Sequence, residues 1–167
     1  MSVAEAELFE GFDRFALTVS PDDEPDVVAG VRRWLRVRVD VRAGTLAWSE
    51  EDACLTVKEA RRLVAWMRAQ AEVASPDASE APEARCRFKE SSLQFERRGD
   101  QVTVTLDLEL TPLGAEGPCE VRLPFDPAQA RAFADALAAQ LDHLPEDDEV
   151  ADGPLIPPPP RFRRPPG

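Results

Sequence analysis

Apolar residues recur at every second position in three stretches of the chain. "FALTV" (15–19) sets Phe15, Leu17 and Val19 on one side. "WLRVRVDV" (34–41) sets Leu35, Val37, Val39 and Val41 against Arg36, Arg38 and Asp40. "QVTVTLDLEL" (101–110) sets Val102, Val104, Leu106, Leu108 and Leu110 against Gln101, Thr103, Thr105, Asp107 and Glu109. A period of two puts these sets on opposite faces of a strand, one buried and one wet. Further strands are predicted in the opening stretch and in "TLAWSEEDACL", "RCRFKE", "SLQFER" and "CEVRLPF". A turn near Ala43 and Gly44 folds the arginine-bearing strand into a hairpin with the strand that carries Leu46 and Trp48.

The period becomes helical in "TVKEARRLVAWMRAQAEV" (56–73). Thr56 and Glu59 are spaced as a capping box, and Ala60, Leu63, Val64, Met67 and Ala71 form one apolar stripe. A second helix is predicted in "DPAQARAFADALAAQLDHL", with Asp126 as N-cap, Pro127 at the first helical position and Gln129 completing a box. Its stripe is Ala130, Phe133, Leu137 and Leu141. Alternating strands with one polar face, together with two one-striped helices, predict an α+β fold: a mostly antiparallel sheet with both amphipathic helices on one face.

Both halves run strand, turn, strand, capped helix. An offset of 70 (126 − 56) places Thr56 on Asp126, Glu59 on Gln129, Ala60 on Ala130, Leu63 on Phe133, Met67 on Leu137 and Gln70 on Gln140. The match reads either as a degenerate strand-strand-helix repeat or as physics common to any two capped amphipathic helices. "PDDEPDVVAG" (21–30) is a proline-broken acidic loop and "ASPDASEAPEA" (74–84) a polar linker. Residues 146–167 carry no periodicity, and their prolines oppose helix and sheet, so an acidic and then Pro/Arg-rich disordered tail is expected after a single domain of residues 1–145.

Composition narrows the class. With 43% hydrophobic and 31% charged residues over a length of 167, the body is globular in character and long enough to bury about 70% of its unfolded surface. The longest strictly apolar run, "LVAWM" (63–67), is far short of the roughly 18 residues of a membrane helix. The opening "MSVAEAELFEG" has neither a basic lead nor an apolar core, so no secretory signal is expected. Three cysteines, Cys54, Cys86 and Cys119, are an odd number without a CxxC pair, and buried reduced thiols in the cytoplasm are the expectation. A net charge of −12 disfavours nucleic acid and favours a basic protein partner.

Candidate chemistry is sparse. The one histidine, His143, falls at a helix end beside the acidic tail, where the macrodipole explains it, and no Ser or Cys has a base spaced for a triad. No glycine loop opens a helix as a phosphate cradle would. The acidic clusters Asp22, Asp23, Glu24, Asp26 and Glu50, Glu51, Asp52 lack the EF-hand spacing. No catalytic residue, cofactor or metal ligand is therefore assigned. The arginines are expected on the wet sheet face, with Asp107 and Glu109 as cross-strand partners. That face and the two acidic clusters are the candidate docking residues: Asp22, Asp23, Glu24, Asp26, Arg36, Arg38, Glu50, Glu51 and Asp52, with Trp34 as an interface anchor if it is exposed.

The layout resembles the WapI-type immunity proteins, small cytoplasmic antidotes of bacterial polymorphic-toxin systems. The resembling stretches are "WLRVRVDV", "CLTVKEARRLVAWM", "RFKESSLQF" with Phe88, Glu90 and Leu93, "VTVTLDLEL" and the helix ending "LDHLP", over roughly residues 8 to 145. The chain departs from the expected pattern at Arg32 and Arg33, where an acidic residue would precede Trp-Leu, and at Glu146, where a basic residue would follow Leu-Pro. The resemblance implies a non-enzymatic protein that binds and neutralises a cognate toxin, a basic toxin domain given the charge, and it carries over no catalytic residue. Two other readings remain open from the residues: an adaptor that uses "PPPPRFRRPPG" as a ligand for an aromatic groove, and a carboxylate-based enzyme.

Overall fold

A computed structural model describes residues 4–21, 34–73, 83–142 and 144. The acidic loop 22–26, the linker around 74–82, His143 and the tail 146–167 lie outside the described residues. Strands β1 (Ala6–Glu10), β2 (Asp13–Pro21), β3 (Trp34–Ala43) and β4 (Leu46–Thr56) form an antiparallel meander that runs into α1 (Val57–Glu72). Strands β5 (Arg85–Arg87), β6 (Leu93–Arg98), β7 (Gln101–Leu106) and β8 (Cys119–Pro124) form a second meander, which runs into α2 (Pro127–Leu141). The α+β class holds, but the strands divide into two four-stranded sheets where one was expected. Alternation states which side of a strand is buried and is silent on which edges pair.

The predicted faces are largely the observed ones, with Leu108, expected inward, exposed and Trp34, expected on the polar face, buried. Phe15, Leu17, Val19, Val37, Val39 and Val41 from the first sheet and Leu93, Phe95, Val102, Val104, Val121 and Leu123 from the second enter one continuous core with the stripes of both helices. Phe15 and Phe95 meet edge to face at 5.7 Å, and Phe95 meets Phe133 of α2 at 6.0 Å, so the rings join both sheets and a helix at one point. A bulge between Leu35 and Arg36 leaves Cys54 of β4 as the extra residue, because Leu35 opposes Leu55 while Arg36 opposes Ala53. The bulge turns Cys54, Leu55 and Thr56 all inward and delivers Thr56 as the N-cap of α1. Thr56 and Glu59 close the predicted box, with Thr56 Oγ1 accepting from the Glu59 N–H at 3.2 Å and Glu59 Oε2 accepting from the Thr56 N–H at 3.0 Å.

Three local expectations are corrected. The box expected at the start of α2 does not close: Asp126 Oδ1 accepts from the Ala128 N–H at 3.0 Å, while the Gln129 side chain turns to the Phe9 backbone of β1. The long strand 101–110 ends at Leu106, where the side chain of Asp107 caps a single 3-10 turn over Leu108–Leu110. Asp at a strand end can bond the backbone just beyond it, here the Leu108 N–H at 2.7 Å, and this competes with the ladder. Among the cysteines, Cys54 and Cys86 are buried while Cys119 is half-buried, and all three are free thiols. Burial pushes the Cys86 thiol up to about 11, so it stays protonated and unreactive at neutral pH.

Candidate docking surface

The outer face of the first sheet is charged in alternation. Across β2, β3 and β4 the register sets Thr18, Arg38 and Glu51 in one row, and Ala16, Asp40 and Ser49 in the next. Arg38 forks onto its strand neighbour Asp40 at 3.2 and 3.3 Å, Arg36 reaches Glu51 at 3.4 Å, and Arg14 reaches Glu7 at 2.7 Å and Glu5. The arginines are thus paired on their own face by Asp40 and Glu51, and the expected partners Asp107 and Glu109 stand elsewhere. Burial alone would raise the Asp40 carboxyl, yet the hydrogen bonds from Arg38 and Ser49 outweigh it and hold the group below its usual range.

Beside this face β4 meets the 3-10 turn. The indole Nε1 of Trp48 donates to the Leu110 carbonyl at 3.0 Å and ties the turn to the strand. Between them opens a concavity of about 710 Å³ lined by Glu50, Glu51, Asp107, Glu109 and Glu116, with no Lys or Arg among the described lining residues. Leu108, held at φ +55° and 39% exposed, and Leu113, 77% exposed, stand at its lining as apolar groups. A left-handed leucine costs on the order of 1–2 kcal/mol, so its presentation is maintained by the surrounding bonds, including Thr111 Oγ1 to the Leu108 carbonyl at 2.7 Å.

The predicted docking residues therefore separate. Glu50 and Glu51 enter the concavity, and Arg36 and Arg38 lie on the adjoining face. Asp52 is half-buried and accepts from the hydroxyl of buried Ser92 at 3.0 Å, which fastens β4 to the start of β6. Trp34 is 8% exposed, so the exposed anchor expected there is not found; the bulge shifts the parity on which that reading rested. Asp107, Glu109, Glu116, Leu108 and Leu113 were not assigned to docking from sequence. The signal for Leu113 and Glu116 is the Pro- and Gly-broken run "TPLGAEGP" (111–118), which marks a projecting loop, and Asp107, Leu108 and Glu109 stand just before it. Among the described residues no three His, Cys, Asp or Glu side chains are grouped to hold a metal ion, and no helix is long and apolar enough to cross a membrane.

The architecture is that of an α+β protein of two meander-helix halves, carrying a mixed-charge sheet face and a carboxylate-lined concavity at its surface. The chain belongs to the WapI-like immunity protein family, whose model matches residues 8–145. Membership implies a protein partner in general and suggests a non-enzymatic role. No curated protein matches the chain. Among solved structures, that of the plant transcriptional regulator PBF-2 is similar over 86% of this chain and 91% of the other, at 12% identity and a TM-score of 0.42. At that score the likeness carries no functional statement about this chain.

Proposed function

We propose that this protein neutralises a cognate bacterial toxin in the cytoplasm by covering an essential surface of a basic toxin domain with the concavity between β4 and the loop after β7. The observation that supports the reading is the lining itself: Glu50, Glu51, Asp107, Glu109 and Glu116 gather with no Lys or Arg among the described lining residues, only Glu51 reaching a cation, Arg36 on the adjoining face, and they stand next to exposed Leu108 and Leu113. A carboxylate ring around apolar anchors steers a basic partner by charge and retains it by desolvated contact. The cluster Asp22, Asp23, Glu24 and Asp26 lies outside the described residues and belongs to the chain's net charge of −12. Residues 1–145 carry this activity in the proposal, and the tail 146–167 is dispensable.

The test is rescue of cells expressing the toxin encoded next to this gene. The full chain and a 1–145 truncation are expected to rescue equally. E50Q/E51Q is expected to slow association by about tenfold at low salt, and Leu113→Ala to hasten dissociation. Rescue and binding kinetics unchanged by all of these would remove the concavity from the interface. Failure of the full chain to rescue would reject the antidote reading itself.

A further inference from the structure

The chain has only two lysines, and both line one concavity. Lys58, Arg61 and Arg62 from the first turns of α1, Arg87 at the end of β5 and Lys89 just after it surround a cavity of about 690 Å³ with Trp34 and Phe88 in its walls. Glu59 is the single carboxylate among the described lining residues, so these residues carry a formal charge of +4 (5 − 1) on a chain of −12. Both Glu59 oxygens are occupied, Oε2 by the Thr56 N–H and hydroxyl and Oε1 by the Lys89 N–H at 2.9 Å. Among the described residues no ion pair reaches Lys58, Arg87 or Lys89, whereas Arg36, Arg38, Arg85 and Arg122 on the sheet faces each have a carboxylate. Arg62 is held over the Phe88 ring at 5.5 Å while donating to the Arg87 carbonyl, so the aromatic wall is fixed by a cation.

We infer that this concavity is a second docking site, opposite in sign to the first, and that it takes an acidic peptide segment of a protein partner. Lys58, Arg87 and Lys89 supply flexible and forked donors for its carboxylates, and Phe88 with Trp34 supplies an apolar wall for a neighbouring side chain. Charge selects a short acidic segment over nucleic acid. A compact ligand inside a screening distance of about 8 Å feels the local cations, while an extended polyanion also meets the surrounding −12.

The experiment titrates the full chain into a fluorescein-labelled Glu-Glu-Phe-Glu-Glu peptide and reads anisotropy. Saturable binding is expected, weakened at least about tenfold in K58Q/R87Q/K89Q and by added salt, and unaffected by E50Q/E51Q. The three substituted side chains are exposed, and circular dichroism checks that the fold is kept. Undiminished binding by K58Q/R87Q/K89Q, or no saturable binding, overturns the site. Tighter binding of an oligothymidylate overturns the peptide assignment. Peptide binding seen only after Asp22, Asp23, Glu24 and Asp26 are neutralised overturns it too, and gives the pocket to the chain's own acidic segment. No toxin enters this assay, so the site and the antidote reading stand or fall separately.

Discussion

The two halves share an order of elements, yet each helix is fastened to the half it does not follow. In α2, the Gln129 amide pairs with both backbone groups of Phe9 in β1, accepting its N–H at 3.1 Å and donating to its carbonyl at 3.0 Å. Gln140, about three turns further along the same face, takes the Val19 N–H at 2.8 Å and donates to the Ala4 and Leu17 carbonyls. In α1, the residues at the same offset act on the second half: Glu59 accepts the Lys89 N–H, and Gln70 donates to the Glu83 carbonyl at 2.9 Å just before β5. The two helices therefore correspond in the bonds they make as well as in their order. A helix that caps itself alone would not need a glutamine aimed at a strand roughly 120 residues away.

The halves also differ. The C-terminus of α1 receives two arginines from the second half. Arg97, 5% exposed, donates to the Gln70 and Val73 carbonyls at 2.6 and 3.1 Å and lies over Phe125 at 3.9 Å, while Arg131 donates to the Ala71 carbonyl. No basic residue stands in the last turn of either helix itself, so α1 borrows what the macrodipole favours. Desolvation lowers the Arg97 guanidinium from its usual value, and the charge is retained because Arg titrates far above neutral pH.

The strongest way to break the comparison is at the ring where the halves meet. Phe95→Ala is expected to cost about 3–5 kcal/mol in urea unfolding and Phe95→Leu about 1–2 kcal/mol, since Phe95 touches Phe15, Trp66 and Phe133. A loss under about 1 kcal/mol for the alanine variant would mean that the halves do not share this centre. Next, Gln140→Ala should cost about 1–3 kcal/mol, leaving a buried Val19 N–H without its acceptor. Gln70→Ala should cost less, about 1 kcal/mol, because Trp66 Nε1 still donates to the Glu83 carbonyl at 2.7 Å. Equal losses would contradict the asymmetry.

The smallest effect is acidic. Glu7 is lowered first by its hydrogen bond from Arg14, and Glu96 first by that from Arg85 and then by Arg98. With Asp40, these folded-state values lie below the unfolded ones. Their contribution is complete above the ordinary carboxylate range and is lost as pH falls through the lowered values. Stability should thus decline below about pH 4, and Arg14→Met should flatten that decline by removing the Glu7 share. An acid limb unchanged by Arg14→Met would show that the surface pair contributes nothing.

Sequence period carried most of this architecture. Most strand faces, both N-cap residues and the paired offset of Glu59 with Gln129 and Gln70 with Gln140 were legible, because each depends on neighbours within a few positions; the second box was not, since Gln129 bonds Phe9 of β1 instead of its own cap. What was hidden depends on distant partners. Trp34 lost its exposed parity to a bulge set by β4, Asp107 chose a cap over the ladder, and the two sheets parted at edges that alternation does not describe. The acidic concavity was half legible, through Glu50 and Glu51, while its other wall comes from a loop more than fifty residues on.

Gln129 has a further consequence for how this protein behaves in a crowded solution. Phe9 and Arg14 sit one step in from the Glu10 and Asp13 pair that closes the first hairpin, so the Phe9 peptide groups point away from β2 toward the outer rim of the sheet. An open rim of this kind is a template on which a neighbouring molecule can add a strand. The glutamine side chain imitates one residue of such a strand and occupies that position from within, so at Phe9 the chain is already paired with itself and gives self-association nothing to extend.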